Sequence, residues 1–181
     1  MFHGEEADDI VKVLKDCGAL RVGEFVLKSG ITSKYYVDIK KASTNPMILR
    51  IITQKMYENL QKMNLKVDRI AGIVLGSIPL AVALSLKTGI PYVMIRGEKK
   101  NHGTEELIEG TFDSGDKVLV VEDVITSAGS SIAGISVLRD KGVIVENVFS
   151  VIDREMGGAE ALARVGVTFT PLVKLSEFKL T

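Results

Sequence analysis

The sequence predicts an α/β protein with a mostly parallel central sheet flanked by helices. Apolar segments such as 70–75 and 118–121 lack the alternating polar residues of a half-exposed strand, and such segments are typical of strands buried on both faces. From Arg69 onward these segments alternate with helix-like stretches, which is the pattern of a parallel sheet covered by helices. Ligands bind such sheets beyond the carboxyl ends of the strands, so we expect the functional residues there.

The N-terminal elements are predicted from capping and turn residues. Asp8 or Asp9 can cap a short apolar helix. Two strand-like segments, 24–30 and 34–40, follow with turn residues between them. We therefore expect a short helix and then a hairpin before the main sheet begins.

The later elements follow from hydrophobic spacing. Pro46 suits the first turn of a helix, and apolar residues recur every four positions up to about Met63. Beyond it the segments alternate, with strands expected at 70–75, 92–95, 118–121, 145–152 and 167–173 and helices at 80–87, 131–141 and 159–165.

The composition is that of an ordinary globular chain. Of 181 residues, 46% are hydrophobic and 25% are charged, which excludes a mainly disordered protein. At this length we expect a single domain over residues 1–181. Lys and Arg number 23, as do Asp and Glu, and this zero formal charge argues against a dedicated nucleic-acid partner.

The cysteine count and the N-terminal residues bear on the compartment. Cys17 is the single cysteine, so an internal disulfide is excluded and a reducing, cytoplasmic location is expected. The acidic first residues lack the basic and apolar segments of a secretory signal. The uncharged stretch 70–86 is short for a membrane span and contains Gly76 and Pro79, so no membrane partner is expected.

One segment combines two acids with a loop of small and hydroxyl residues. Glu122 and Asp123 follow the strand 118–121, and the loop after them opens a helix. The N–H groups of such a loop and of a helix N-terminus bind phosphate. Adjacent carboxylates repel phosphate and suit nearby hydroxyls or a metal, so the pattern indicates a ribose 5-phosphate. The alternative is an acidic strand end followed by an ordinary helix cap.

This segment resembles the phosphoribosyl pyrophosphate (PRPP) motif of the type I phosphoribosyltransferases. The resemblance implies the fold of that family, with a small N-terminal hood formed by residues of about 20–45. It also implies that Glu122 and Asp123 hold the ribose hydroxyls, with Asp123 among the catalytic residues. The 5-phosphate would then be bound by the loop, that is by Thr126, Ser127, Ala128, Gly129 and Ser130. Many members have Gly at the position of Ala128.

A polar, charged loop of roughly fifteen residues separates the strand 92–95 from the next one, and long loops in compact domains are often lids. By composition alone, a solvated surface loop is the alternative. The order of Arg, Lys and His-Gly resembles the mobile loop of the orotate phosphoribosyltransferases. That resemblance implies that Lys100 and His102 are catalytic and bind PRPP together with Arg96. In that family the lysine comes from the neighbouring subunit, which implies a homodimer with a shared loop. Several members carry a second lysine directly after the arginine, where this chain has Gly97, and we expect the nearby Lys99 to bind PRPP in its place.

The expected base site rests on three segments that resemble the same family. A Lys-Ser-Gly turn followed by two tyrosines resembles the hood over the pyrimidine, and an arginine after a strand matches the one that contacts the base. The resemblance assigns orotate to Lys28, Tyr35, Tyr36, Thr126 and Arg154. From the residues alone, an edge hairpin with core tyrosines and an arginine paired with a flanking acid are alternatives.

The turn after the strand 70–75 matches the family's pyrophosphate turn. It contains Gly76 and Ser77, and it lacks the lysine that some bacterial members carry there. Backbone N–H groups and cations from elsewhere would therefore bind the pyrophosphate. A plain strand–helix turn is the alternative.

The combined resemblance implies the reaction of orotate with PRPP to give orotidine 5-phosphate and pyrophosphate, in de novo pyrimidine synthesis. It implies Mg²⁺ as cofactor, held mainly by PRPP with no metal ligand from the protein. Two alternatives stay open. One is a phosphoribosyltransferase for purine bases, and the other is a PRPP-sensing regulator that binds nucleic acid.

Overall fold

The computed structural model describes residues 9–26, 32–96 and 107–178. In chain order the helices and strands are α1 Ile10–Asp16, β1 Leu20–Val26, β2 Thr32–Val37, α2 Ile39–Ser43, α3 Pro46–Lys62, β3 Arg69–Ile73, α4 Ile78–Thr88, β4 Tyr92–Ile95, β5 Ile108–Glu109, β6 Lys117–Ile125, α5 Gly129–Asp140, β7 Ile144–Asp153, α6 Gly158–Arg164 and β8 Thr168–Lys174, followed by a 3-10 turn at Leu175–Glu177.

Six strands form the central sheet, in the order β5-β4-β3-β6-β7-β8. Neighbouring strands from β4 to β8 pair in parallel, and β5 pairs with β4 in antiparallel orientation at the edge. The predicted α/β class with a mostly parallel sheet is confirmed. The carboxyl ends of β3, β6 and β7 meet at one edge of the sheet, where the sequence predicts the functional residues.

Helices cover both faces of the sheet, and β6 contributes to a separate core on each face. Leu119 and Val121 pack in one core cluster with apolar residues of α3 and α4. Val118 and Val120 pack in the other cluster with apolar residues of α5 and α6. This division follows from strand geometry, because consecutive side chains point to opposite faces.

A separate antiparallel pair, β1 and β2, lies in the region predicted to form the hood. The hydroxyl of Tyr35 donates a hydrogen bond to the carbonyl of Phe178 at 3.2 Å, which ties β2 to the C-terminal segment. The predicted second strand stops at Val37, since Ile39–Ser43 forms the short helix α2 with its Ile39 and Ala42 side chains buried in the core.

The main sheet differs from the sequence prediction at two strand ends. β6 continues four residues beyond Val121, because Val124 and Ile125 still pair with β7. β3 ends at Ile73, two residues early, and the chain then enters a turn with an exposed Leu75. Across the described ranges, no helix is both long enough and apolar enough to cross a membrane.

Candidate active site

The carboxyl ends of β3, β6 and β7 bring together four of the predicted pieces. These are the turn before α4, the two acids on β6, the loop before α5 and Arg154 after β7. The pairing of Gly72 with Val121 sets β3 beside β6 and so places the first turn next to the acids. Residues far apart in the sequence therefore lie close together at this edge of the sheet.

The loop between β6 and α5 surrounds a cavity of about 150 Å³ lined by residues 124–131. Ala128 adopts a left-handed conformation with φ of 63°, and the helix begins at Gly129. The first N–H groups of a helix have no partner within the helix, so they are available to an anion here. Ser127, Gly129 and Ser130 are exposed around this cavity.

The methyl group at position 128 is accommodated by the core. Ala128 is 4% exposed and belongs to the apolar cluster beneath α5 and α6. A left-handed conformation is unfavourable for alanine by roughly 1–2 kcal/mol. Burial of one methyl group returns about 0.8 kcal/mol, so the alanine offsets part of its own backbone strain.

Asp123 lies against the turn that precedes α4. Its carboxylate is half-buried, and Oδ1 accepts a hydrogen bond from the Val124 N–H at 2.9 Å. A Cβ added to Gly76 would be 2.6 Å from the Cγ of Asp123, so only glycine leaves room for this carboxylate. The predicted pyrophosphate turn and one predicted ribose acid are thus in direct contact.

Glu122 has a different environment from its neighbour. Its side chain is 5% exposed, and Oε1 accepts a hydrogen bond from the Ser131 hydroxyl at 2.7 Å. Burial raises the pKa of Glu122 from 4.5 to about 7, and the negative charge of Asp123 adds to that rise while the hydrogen bond from Ser131 opposes it. Sequence reasoning missed Ser131, although it is a polar residue in the first turn of a helix.

Arg154 follows β7 and is fixed to the end of β6. Its backbone N–H donates a hydrogen bond to the carbonyl of Ile125 at 2.9 Å. Its buried Nε has no hydrogen-bond partner within the described parts of the chain. The flanking acids are engaged elsewhere, since Asp153 accepts from the N–H of Glu155 and Glu155 accepts from Ser176. Arg154 therefore has hydrogen-bonding capacity left for a ligand.

The two predicted hood tyrosines face different surroundings. Tyr35 is half-buried and packs on the main core, whereas Tyr36 is 36% exposed. The Tyr36 ring lies 5.5 Å from the Phe25 ring, and the Arg21 guanidinium lies 4.8 Å from the Tyr36 centroid. Sequence reasoning missed this cluster of Arg21, Phe25 and Tyr36. The assignment of both tyrosines to the base stays a prediction.

The predicted mobile loop begins after Arg96, whose Nη1 donates to Oε1 of Glu109 at 3.2 Å. The Arg96 N–H also bonds the Leu107 carbonyl at 2.8 Å, so the two ends of this loop lie together at the sheet edge. The remaining predicted cations lie outside the described residues, namely Lys28, Lys99, Lys100 and His102.

Comparison with known proteins agrees with this geometry. The phosphoribosyl transferase domain family matches residues 38–169. The orotate phosphoribosyltransferase of Pyrococcus horikoshii is 46% identical over 170 residues, covering 94% of this chain and 91% of that protein. The orotate phosphoribosyltransferase of Methanocaldococcus jannaschii is 41% identical over 177 residues, covering 98% of this chain and 99% of that protein.

Solved structures give the same result. Orotate phosphoribosyltransferase from Aeropyrum pernix superposes with a TM-score of 0.84 at 33% identity, covering 93% of this chain and 94% of that one. The Mycobacterium tuberculosis orotate phosphoribosyltransferase in complex with PRPP has a TM-score of 0.76 at 29% identity, covering 93% and 98%. The chain belongs to the phosphoribosyltransferase family. Within that family it belongs to the orotate phosphoribosyltransferases, as the sequence motifs predicted.

Proposed function

We propose that this chain is a pentosyltransferase that transfers the 5-phosphoribosyl group of PRPP to orotate. The products are orotidine 5-phosphate and pyrophosphate, and the reaction belongs to de novo pyrimidine synthesis. The observation that carries the proposal is the contact between Asp123 and Gly76 beside the cavity of the loop 124–131, since the three parts of PRPP need three adjoining subsites. The similarity to orotate phosphoribosyltransferases over nearly the whole chain supports orotate as the base.

The subsites of the proposed PRPP site follow the order of its groups. The loop from Thr126 to Ser130 binds the 5-phosphate through N–H groups and hydroxyls. Glu122 and Asp123 accept hydrogen bonds from the ribose hydroxyls. The backbone at Gly76 and Ser77 binds the pyrophosphate, and the cations of the mobile loop close over it, namely Arg96, Lys99, Lys100 and His102.

In the proposed reaction a ring nitrogen of orotate forms a bond to C1 of the ribose and loses its proton, which passes to the released pyrophosphate or to solvent. The bond from C1 to the pyrophosphate oxygen breaks, and its electron pair leaves with the pyrophosphate. The ribose becomes cation-like while the leaving group gains charge, so positioning and electrostatics carry the catalysis. Asp123 fixes the ribose ring, and Lys100 and His102 stabilise the charge that builds on the pyrophosphate.

The proposed base site uses the free hydrogen-bonding capacity of Arg154. Its unpartnered buried Nε suits an oxygen of orotate. Lys28, Tyr35, Tyr36 and Thr126 complete the site in this proposal, with the lysine meeting the orotate carboxylate. A purine base is uncharged and would leave the arginine without an anionic partner, which disfavours the purine alternative.

Mg²⁺ is proposed as the cofactor, carried by the phosphates of PRPP. Among the described residues, no group of three or more His, Cys, Asp and Glu side chains is placed to hold a metal ion. In this proposal the ligands of the ion come mainly from the phosphates of PRPP and from water. When bound, Mg²⁺ supplies positive charge that offsets the charge of the pyrophosphate.

The proposal includes a cytoplasmic homodimer in which the mobile loop of one subunit reaches the site of the other. The single cysteine agrees with a reducing compartment. No nucleic-acid or membrane partner is proposed.

Product analysis tests the proposed function. The protein is incubated with orotate, PRPP and Mg²⁺, and the products are identified by mass spectrometry. One orotidine 5-phosphate and one pyrophosphate are expected for each PRPP consumed. Binding of PRPP without any product would contradict the proposal and favour the PRPP-sensing regulator.

A further inference from the structure

We propose that Glu155 is a positioning residue for Arg154, and that it acts by tying the loop after β7 to the C-terminal segment. The loop after β7 is residues 154–157, and the C-terminal segment is residues 175–178. The proposal rests on the proposed function, because that function places Arg154 against orotate.

The backbone on both sides of Arg154 is held by hydrogen bonds. The Arg154 N–H donates to the carbonyl of Ile125 at 2.9 Å. The N–H of Glu155 donates to Oδ1 of the buried Asp153 at 2.8 Å. These two bonds set the point at which the arginine side chain leaves the backbone. A displacement of Glu155 would therefore move the arginine relative to the end of β6.

Glu155 has an unusual backbone conformation for a residue with a long side chain. Its φ is 55°, in the left-handed region that residues other than glycine seldom adopt. Such a conformation persists where the surrounding contacts determine it. The Glu155 side chain makes contacts of that kind.

The Glu155 carboxylate accepts two hydrogen bonds from one residue of the C-terminal segment. Oε2 accepts from the Ser176 N–H at 2.6 Å, and Oε1 accepts from the Ser176 hydroxyl at 3.0 Å. Hydrogen bonds to an ionised carboxylate are stronger than those between neutral groups. Two bonds to a single partner also fix the direction of the side chain. The loop after β7 is thus joined to the segment that follows β8.

The C-terminal segment is itself fixed to the rest of the fold. The Phe178 side chain is 1% exposed and packs in the main core. The Phe178 N–H donates to the carbonyl of Leu175 at 3.2 Å, and Oε1 of Glu177 accepts from the Lys174 N–H at 2.9 Å. Ser176 lies inside this turn, so it offers Glu155 a partner at a fixed position.

The same segment contacts the hood. The Tyr35 hydroxyl donates to the Phe178 carbonyl at 3.2 Å. The C-terminal segment therefore bonds β2 through one residue and Glu155 through another. In the proposed function Tyr35 and Arg154 both contact orotate. Glu155 thus fixes the spacing between the arginine and the hood, and its loss should affect orotate and not PRPP.

The test measures the orotate KM at saturating PRPP, the Kd for PRPP by calorimetric titration, and the melting temperature. Glu155→Ala removes both hydrogen bonds, and we expect the orotate KM to rise about fivefold with an unchanged Kd for PRPP. Glu155→Gln keeps an acceptor oxygen for the Ser176 N–H and an amide for the hydroxyl. Its orotate KM should therefore stay within about twofold of the wild type.

A double-mutant cycle tests whether Glu155 acts through Arg154. In the Arg154→Gln background, Glu155→Ala should cause little further rise in the orotate KM, because the group that it positions is absent. Ser176→Ala removes one of the two bonds from the other side, so its orotate KM should lie between those of the wild type and Glu155→Ala. Ser176→Ala leaves the left-handed residue unchanged, and it keeps the test decisive if Glu155→Ala does not fold.

The matched control is Arg139→Ala. Arg139 lies in the last turn of α5, and its guanidinium donates to the carbonyls of Val165 at 2.9 Å and Val145 at 2.7 Å. It also joins separate elements through two hydrogen bonds, but at the amino end of β7. Its loss should lower the melting temperature and leave the orotate KM unchanged.

Two results would overturn the inference while the proposed function stands. One is a wild-type orotate KM in both Glu155→Ala and Ser176→Ala. The other is an equal rise of the orotate KM on Glu155→Ala with and without Arg154→Gln, because Glu155 would then act independently of the arginine. If the wild-type protein does not consume orotate with PRPP, the proposed function itself fails and the inference fails with it.

Discussion

The backbone of Gly76 and the carboxylate of Asp123 are in contact across two neighbouring strands. A Cβ at position 76 would be 2.6 Å from the Asp123 Cγ, closer than real side-chain atoms approach. The position of the acid on β6 therefore depends on the backbone of the turn after β3. A change in the turn acts on the acid.

Gly76→Ala is expected to displace the Asp123 carboxylate, because the new methyl group takes its space. The Kd for PRPP should rise by at least about tenfold, which corresponds to about 1.4 kcal/mol. Calorimetric titration measures it. Gly89→Ala is the control. Gly89 follows the C-terminus of α4, the helix after the turn that contains Gly76, and it has a φ of 76° and open space around it. That change should lower stability by about 1 kcal/mol and leave PRPP binding unaltered. Normal PRPP affinity in Gly76→Ala would refute the contact.

Glu122 should make stability depend on pH. Its pKa rises from 4.5 to about 7 on folding, mainly through burial. Between these two pH values the folded protein keeps a proton on Glu122 that the unfolded chain releases. The contribution of Glu122 to the free energy of unfolding is therefore fully present below pH 4.5 and is lost as the pH rises through 7. The expected loss is roughly 3 kcal/mol.

Urea unfolding of the wild type and Glu122→Gln at pH 5 and pH 8 measures this effect. The glutamine does not titrate, so the stability of the wild type relative to the variant should decrease between the two pH values. A difference that is independent of pH would show that Glu122 keeps an ordinary pKa.

Arg154→Gln should raise the KM for orotate by about 10–100-fold, the range expected for a lost charge-assisted hydrogen bond. The Kd for PRPP should change little, because the substitution keeps the backbone N–H that bonds the Ile125 carbonyl and alters only the side chain. Steady-state kinetics at saturating PRPP measure the first quantity. Arg164→Gln, in the last turn of α6, is the control on a second arginine. An unchanged orotate KM in Arg154→Gln would remove Arg154 from the base site.

Lys100→Ala should lower turnover by about 10²–10³, the scale for losing one contact that stabilises the leaving group. If the loop acts across subunits, mixing Lys100→Ala with Asp123→Asn should restore part of the activity. In such mixed dimers one site receives an intact loop and an intact ribose acid. Verified mixed dimers without any recovery would indicate that the loop acts within its own subunit.

Local sequence patterns were sufficient to predict most of the fold. β4 was expected at 92–95 and is found there, since a short apolar segment between polar turns has few alternatives. The helix expected from Pro46 to about Met63 ends at Lys62, and Asn45 caps it through hydrogen bonds from the N–H groups of Met47 and Ile48. Such signals are local, so they survive without knowledge of the tertiary structure.

The arrangement of the site depends on contacts that the sequence does not display. Gly76 and Asp123 are far apart along the chain, and their contact exists only once β3 pairs with β6. In the sequence Ser131 has no feature that distinguishes it from other helix residues. Its hydrogen bond to Glu122 forms only when α5 packs over β6. One signal was present, since consecutive strand residues point to opposite faces. That rule applies to Glu122 and Asp123 only because β6 continues beyond Val121, and this continuation was not predicted.

An ultraviolet assay with Mg²⁺ measures PRPP-dependent consumption of orotate. Orotate is measured beside uracil, adenine, hypoxanthine and guanine. We expect loss of the orotate absorbance that requires PRPP, with no reaction of the other four bases. Turnover of a purine in place of orotate, or no turnover of any base, would contradict the proposed function.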